Sequence, residues 1–153
     1  MTTTTLAEQP RIDIAGAAPD LYGDLVALGG DVRLDSGLRQ LVNLRASILN
    51  GCAYCIDMHT KDARRAGERE QRLYALAAWR ETPFFNERER AALALTDAMT
   101  LLSDGQVPRG VWEQASGQFD TDELAQLVWA IITINAWNRI ATTTRMLPGS
   151  YNP

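Results

Sequence analysis

The chain has 153 residues, of which 46% are hydrophobic and 22% charged, so it can bury the core of one ordinary globular domain. Its net charge of −4 gives no reason to expect a nucleic-acid-binding or membrane-coating surface. No apolar run reaches the roughly 18 residues of a spanning helix, and the start MTTTTLAEQP does not resemble a secretory signal. Two cysteines are too few for an extracellular disulfide scaffold, so we expect a cytoplasmic protein.

Apolar residues recur at helical spacing along most of the chain, and no segment alternates as a strand would. After a polar tail (1–17), the predicted helices cover 19–28, 36–49, 52–67, 69–80, 86–102, a short segment from Pro108, and 120–146. Ser36 is the expected cap of the second, and Asn86 with Glu89 and Asp120 with Glu123 have capping-box spacing. We therefore predict an all-α, compact domain of about six to seven helices over residues 18–153.

The last predicted helix is apolar on nearly every side. One face carries leucine, isoleucine and valine, and much of the remainder carries Trp129, Ile132, Ala136, Trp137 and Ile140. A helix of this kind must be buried almost all round. We expect part of this surface to contact another subunit; the alternative is a central core helix in a monomer.

The segment NGCAYCIDMH, residues 50–59, holds both cysteines of the chain and its one histidine. On a helix, Cys55 and His59 lie one turn apart on the same face. Three interpretations compete. Cys52, Cys55 and His59 could be ordinary core residues, or they could bind a metal, although a closed site would need a further ligand.

The third interpretation is a redox centre. A C-x-x-C pair can close into a disulfide and reopen, and a helix N-terminus stabilises a thiolate. His59 can remove the thiol proton from Cys55. The thiolate can then attack a peroxide oxygen to give a sulfenic acid, which the second cysteine captures as a disulfide. Exchange with a disulfide substrate follows the same chemistry, and we favour this interpretation.

The stretch LRQLVNLRASILNGCAYCIDMHTKDARRAGE, with ERERAALALTDAMT and ELAQLVWAIITINAWNR further on, resembles the alkylhydroperoxidase D-like branch of the carboxymuconolactone decarboxylase family. The likeness covers residues 18 to 147, and C-x-x-C-x-x-x-H after Asn-Gly is highly specific for this branch. The resemblance implies an all-helical fold, trimers or hexamers, and thiol-dependent peroxidase activity. Relatives with decarboxylase activity typically lack the cysteine pair, so that reaction is not expected.

The resemblance also implies roles for the three residues of the motif. Cys55 corresponds to the cysteine that attacks the peroxide, and Cys52 to the resolving cysteine, which is exposed to the reductant. His59 corresponds to the histidine of a proton relay. In the family pattern a glutamate twelve residues before the first cysteine orients and charges that histidine.

The chain departs from the pattern at that position, which is Gln40. At about 1.5 Å rise per residue, a helical hairpin folded at Gly51 would bring Gln40 and His59 within about one turn of level. Glutamine can accept a hydrogen bond from the imidazole but supplies no negative charge, so His59 should be a weaker base than in relatives. Asp97 is expected either to compensate or to be an exposed helix carboxylate.

The predicted function is a thiol-dependent peroxidase or disulfide reductase in antioxidant defence that uses Cys55, Cys52, His59 and Gln40. It would need no cofactor and no metal, and its partners would be a peroxide or disulfide substrate, an unidentified thiol reductant and further copies of the chain. The alternative is a non-catalytic helical oligomer, a redox-sensing or binding module. We expect neither nucleic acid nor a membrane as a partner.

Overall fold

A computed structural model of the protein describes residues 9–153, and the regular secondary structure of this part of the chain is all helix, without a strand. The α-helices are α1 (Ile14–Ala17), α2 (Pro19–Asp31), α3 (Ser36–Leu49), α4 (Ala53–Arg65), α5 (Glu70–Ala75), α6 (Glu87–Thr100), α7 (Arg109–Gln118) and α8 (Thr121–Thr144). Two 3-10 helices, Leu76–Glu81 and Leu102–Asp104, follow α5 and α6. The predicted all-α class is confirmed. None of the helices within residues 9–153 is long and apolar enough to cross a membrane.

Local signals set most of the helix starts. The two predicted capping boxes are confirmed. The side chains of Asn86 and Asp120 each accept a hydrogen bond from the backbone N–H three residues later, and the glutamate side chain at that position accepts one from the backbone N–H of the cap residue. Pro19 opens α2 as predicted. The cap of α3 is Asp35, not Ser36: its side chain accepts from the backbone N–H of Leu38 at 2.9 Å.

The helices differ from the predicted ones by more than two residues at three places. The predicted tail contains α1, capped by Asp13, while residues 1–8 of that tail lie outside the described part of the chain. Helix α2 runs through Gly29 and Gly30, since glycine in a helix costs only about 1 kcal/mol. The predicted fourth helix is broken at Ala78, whose φ of −121° and ψ of 39° are not helical, and a 3-10 helix replaces its second half.

Helix α3 lies at the centre of the fold and packs against α4, α6 and α8. Its leucines are divided between two apolar clusters. Leu38 packs with side chains of α6, α7 and α8, whereas Leu41 and Leu44 pack with those of α4, α5, α6 and the 3-10 helix after α5. Burying each of these leucines stabilises the fold by about 2 kcal/mol, so α3 is a rigid support for the residues that follow it.

The turn between α3 and α4 is fixed against α8. Gly51 has a φ of 64°, a left-handed conformation that glycine adopts without strain. The Asn50 side chain donates to the amide oxygens of Asn135 (3.0 Å) and Asn138 (2.9 Å). Asn138 in turn donates to the hydroxyl of Ser47 at 3.0 Å. These bonds hold the α3–α4 hairpin in one position, and the cysteines follow directly.

Candidate active site

The hairpin brings Gln40 of α3 and His59 of α4 together. The Oε1 atom of Gln40 lies 3.2 Å from Nδ1 of His59. An amide oxygen can only accept, so Nδ1 carries the ring proton in this arrangement and Nε2 is left unprotonated. The sequence-predicted pair is therefore in contact, and the ring is oriented with a basic nitrogen available.

Both cysteines lie at the start of α4, where they form a disulfide. Cys52 is the N-cap residue, and its sulfur accepts a hydrogen bond from the backbone N–H of Cys55 at 3.3 Å. An N-cap sulfur that accepts such a bond is stabilised as a thiolate, which makes Cys52 a good leaving group when the disulfide is reduced.

The expectation that Cys52 is exposed to a reductant is wrong for this disulfide form. Cys52 and Cys55 are each only 2% exposed. They pack with Ala141 of α8, and Tyr54 and Met146 lie against the same small cluster. The cysteines are covered because Ala141, near the end of α8, and Met146, just after it, pack against the start of α4.

His59 is buried, and desolvation lowers its pKa to about 4. Two charges act on it more weakly: the carboxylate of Asp62 raises the pKa, and the guanidinium of Arg39 lowers it. Asp62 itself accepts a hydrogen bond from the hydroxyl of Tyr151 at 2.7 Å. The imidazole is accordingly neutral at neutral pH and can act as a proton acceptor.

A cavity of about 220 Å³ opens beside Cys55 and His59, between α2, α3, α4 and α8. Cys52 does not line it. Its wall is mostly apolar and aromatic, and Tyr22 and Trp137 meet there edge to face with ring centroids 5.0 Å apart. The other lining residues are Val26, Gly29, Arg39, Asn43, Tyr54, Met58, Thr133, Ile134, Ala141 and Met146. A small molecule in this cavity would meet the sulfur of Cys55 and the ring of His59 together.

Asp97 does not take the place of the missing glutamate, and it is not an exposed carboxylate. It is buried, and its oxygens accept from Arg45 (2.6 and 3.1 Å), from the indole N–H of Trp79 (3.2 Å) and from Arg80. None of its hydrogen bonds within the described chain is to His59. Both expectations for Asp97 are wrong. Arg45 on α3 is buried and requires a carboxylate partner, and Asp97 serves as that partner.

Sequence reasoning missed Arg39 and Asn43, which line the cavity one turn apart on α3. Their spacing of four residues was a usable signal, but the cavity itself depends on how α2 and α8 pack. Within residues 9–153, no group of three or more His, Cys, Asp or Glu side chains could hold a metal ion.

Comparison with known proteins places the chain in a family. Residues 15–98 match the model of the carboxymuconolactone decarboxylase family. The uncharacterised protein YdfG of Bacillus subtilis (strain 168) is 46% identical over 103 residues, which cover 67% of this chain and 70% of that protein.

Solved structures share the fold. The crystal structure of ATU0492 from Agrobacterium tumefaciens, a protein of unknown function proposed to be the antioxidant defence protein AhpD, has a TM-score of 0.90 and 37% identity; the match covers 94% of this chain and all of that one. The debrominase Bmp8 has a TM-score of 0.78 at 20% identity, over 88% of this chain and 74% of its own, and shows the fold alone. With its helical hairpin, its cysteine pair and these matches, the chain belongs to the carboxymuconolactone decarboxylase family and has the fold of the AhpD-like proteins.

Proposed function

We propose that the protein is a thiol-dependent peroxidase or disulfide reductase in antioxidant defence. The observation that carries the proposal is the shared cavity: Cys55 and His59 both line it, and Cys52 is close enough to form a disulfide with Cys55. The likeness to ATU0492, which is itself linked to antioxidant defence by name, supports the same activity.

In the first step His59 takes the proton of the Cys55 thiol at Nε2. The thiolate attacks the distal oxygen of the peroxide ROOH, so the O–O bond breaks and an S–O bond forms. Cys55 becomes a sulfenic acid, and the released RO⁻ takes the proton back from His59 to leave as ROH. Gln40 holds the ring in position throughout by accepting from Nδ1–H.

In the second step Cys52 attacks the sulfenic sulfur, and water leaves as the disulfide forms. Two equivalents of an external thiol then restore the dithiol through a mixed disulfide and leave as their own disulfide. A thiolate that is stabilised by a hydrogen bond departs readily, so the bond from the Cys55 N–H to the sulfur of Cys52 favours this return step. The reductant in the cell would be a thiol compound or a dithiol protein.

One observation favours a second candidate, a redox-sensing oligomer without turnover. The partner of His59 is an uncharged amide, so nothing at that position stabilises the imidazolium that forms when Cys55 loses its proton. A sensor needs only one slow oxidation to the disulfide.

Peroxide-dependent oxidation of several thiol reductants by the purified protein tests the proposal. We expect many turnovers per protein for the wild type and none for Cys55→Ser. A single oxidation to the disulfide, without turnover with any reductant, would favour the sensor. Failure of the wild type to react with a peroxide, together with failure to exchange with a disulfide substrate, would contradict both candidates.

A further inference from the structure

The cavity beside Cys55 carries a positive charge. Among the described residues that line it there is no aspartate or glutamate, and burial keeps His59 neutral at neutral pH, so Arg39 supplies its one charge. None of the ion pairs within residues 9–153 includes Arg39. A partly buried guanidinium without a carboxylate partner is uncommon, because the desolvated charge is then uncompensated.

The guanidinium is held in place by the end of α2. It donates to the carbonyl oxygens of Gly29 (2.6 Å) and Val32 (3.3 Å). Guanidinium has five N–H donors, so others are left for a ligand. Gly29 also lines the cavity, and a Cβ at that position would lie 3.8 Å from Nη2 of Arg39. The absence of a side chain there leaves the charge uncovered.

A second polar side chain, that of Asn43, is also available to a ligand in this cavity. Asn43 lies one turn after Arg39 on α3, lines the same cavity and is only 8% exposed. Its side-chain amide makes no hydrogen bond to another described residue, although its backbone carbonyl accepts from Ser47. No fully buried side-chain N or O atom of the described residues lacks a hydrogen-bond partner, so the amide atoms of Asn43 reach the cavity space and are available to a ligand there.

We propose that this cavity binds a small organic monoanion, a carboxylate with an apolar or aromatic body, whose charged group accepts from Arg39 and Asn43. The apolar side chains of Val26, Ile134 and Trp137 would surround the body. One guanidinium balances one negative charge, whereas a dianion such as a phosphate monoester would leave a charge uncompensated in an apolar space.

The inference rests on the proposed function in one respect, since the anion would be the organic part of the peroxide or disulfide substrate. The contacts of the carboxylate with Arg39 and Asn43 would then position the reacting bond of the substrate beside Cys55. Binding itself needs no chemistry and can be measured on the disulfide form.

Isothermal titration calorimetry on the oxidised protein with phenylacetate and phenylacetamide, which differ in charge and hardly in shape, tests the inference. We expect phenylacetate to bind the wild type about tenfold more tightly than phenylacetamide, because hydrogen bonds to a charged group are stronger than those to a neutral one. Arg39→Gln should remove that preference, and Arg39→Lys should keep part of it. Arg33→Gln, which removes an equal charge outside the cavity, should keep all of it.

Equal affinity of the wild type for the two ligands, or no binding of either, would overturn the inference. So would an Arg39→Gln variant that weakens both ligands to the same extent, because Arg39 would then only support the end of α2. The outcome is independent of turnover: a protein that binds phenylacetate through Arg39 but never reduces a peroxide would contradict the proposed function and leave this inference standing.

Discussion

The amide oxygen of Gln40 lies 3.2 Å from Nδ1 of His59, across the hairpin formed by α3 and α4. This contact fixes the tautomer and the orientation of the ring but adds no charge to it. Burial meanwhile lowers the pKa of His59 to about 4. A carboxylate in place of the amide would act against burial, since it stabilises the protonated ring.

Replacing Gln40 with glutamate should therefore raise the pKa of His59 and make the ring a stronger proton acceptor. A shift of two pKa units would correspond to ~2.7 kcal/mol of interaction with the charged imidazole. Only part of this would reach the rate, so we expect Cys55 to react with peroxide ~10-fold faster near neutral pH. Single-turnover oxidation of the reduced protein measures the effect. Gln40→Ala separates charge from packing, and equal rates for the two variants would show that position 40 does not act on His59.

The two cysteines should behave differently when each is left alone. Cys55 lines the cavity with His59 and Cys52 does not, so Cys52→Ser should react once with peroxide and accumulate a sulfenic acid. Cys55→Ser should lose the fast reaction. Trapping with a sulfenic-acid reagent, followed by mass spectrometry, identifies the oxidised residue. The assignment would be wrong if Cys52 proved the more reactive thiol, as in proteins where the N-cap cysteine attacks.

Burial of a neutral histidine makes the stability of the fold depend on pH. The pKa of His59 is about 4 in the folded protein and near 6.5 when unfolded, so the unfolded state binds the extra proton between these values. The free energy of unfolding therefore keeps its full value above pH 6.5 and falls as the pH approaches 4. At pH 4.5 the burial of neutral His59 has lowered it by about 2.5 kcal/mol. Urea unfolding at pH 7 and 4.5 measures it. Between pH 7 and 4.5 the His59→Gln variant should lose about 2.5 kcal/mol less stability than the wild type. An equal loss in the two proteins would contradict the prediction.

Helix α8 leaves Trp129 and Ile132 exposed at 47% and 41%, with Leu102 and Trp112 also exposed. Ile132, Leu102 and Trp112 line one apolar groove, a surface that we expect further copies of the chain to cover. Light scattering should give a mass several times 16.9 kDa. Ile132→Asp should lower that mass and Ile12→Asp, at an exposed isoleucine outside the groove, should not. A wild-type monomer at micromolar concentration would contradict the prediction.

Asp97 should matter for stability and not for peroxide chemistry. Asp97→Asn removes the charge that Arg45 and Arg80 share, and breaking a buried pair of this kind costs about 3–5 kcal/mol. Urea unfolding should show that loss, whereas Asp104→Asn, at an exposed carboxylate, should change stability by less than about 0.5 kcal/mol. Slower oxidation of Cys55 in a stable Asp97→Asn protein would instead restore Asp97 to the proton relay.

Local signals were sufficient to predict the hairpin, whereas the pairing of position 40 with His59 was implied by the family resemblance and only supported by helix geometry. Asn50-Gly51 marks the turn, and the rise of a helix then places Gln40 within about one turn of level with His59. The capping boxes at Asn86 and Asp120 are local in the same sense. Each of these features depends on residues within about two turns of one another or on a single tight turn.

Contacts between distant segments could not be predicted in this way. Asp97 pairs with Arg45 from 52 positions earlier in the chain, and nothing near either residue indicates the other. The burial of Cys52 depends on Ala141 and Met146, which follow it by some ninety residues. Arg39 became a candidate ligand-binding residue only when the packing of α2 and α8 enclosed a cavity beside it.

The hydrogen bond from the Cys55 backbone N–H to the Cys52 sulfur gives the protein a built-in spectroscopic reporter. When the disulfide opens, the acceptor changes from a neutral, bonded sulfur to a thiol or a thiolate, while the donor stays on the rigid first turn of α4. The amide resonance of Cys55 in a ¹⁵N spectrum should therefore move with the oxidation state, and its position during titration should follow the ionisation of Cys52. The redox state of the pair could be followed without any label attached to either sulfur.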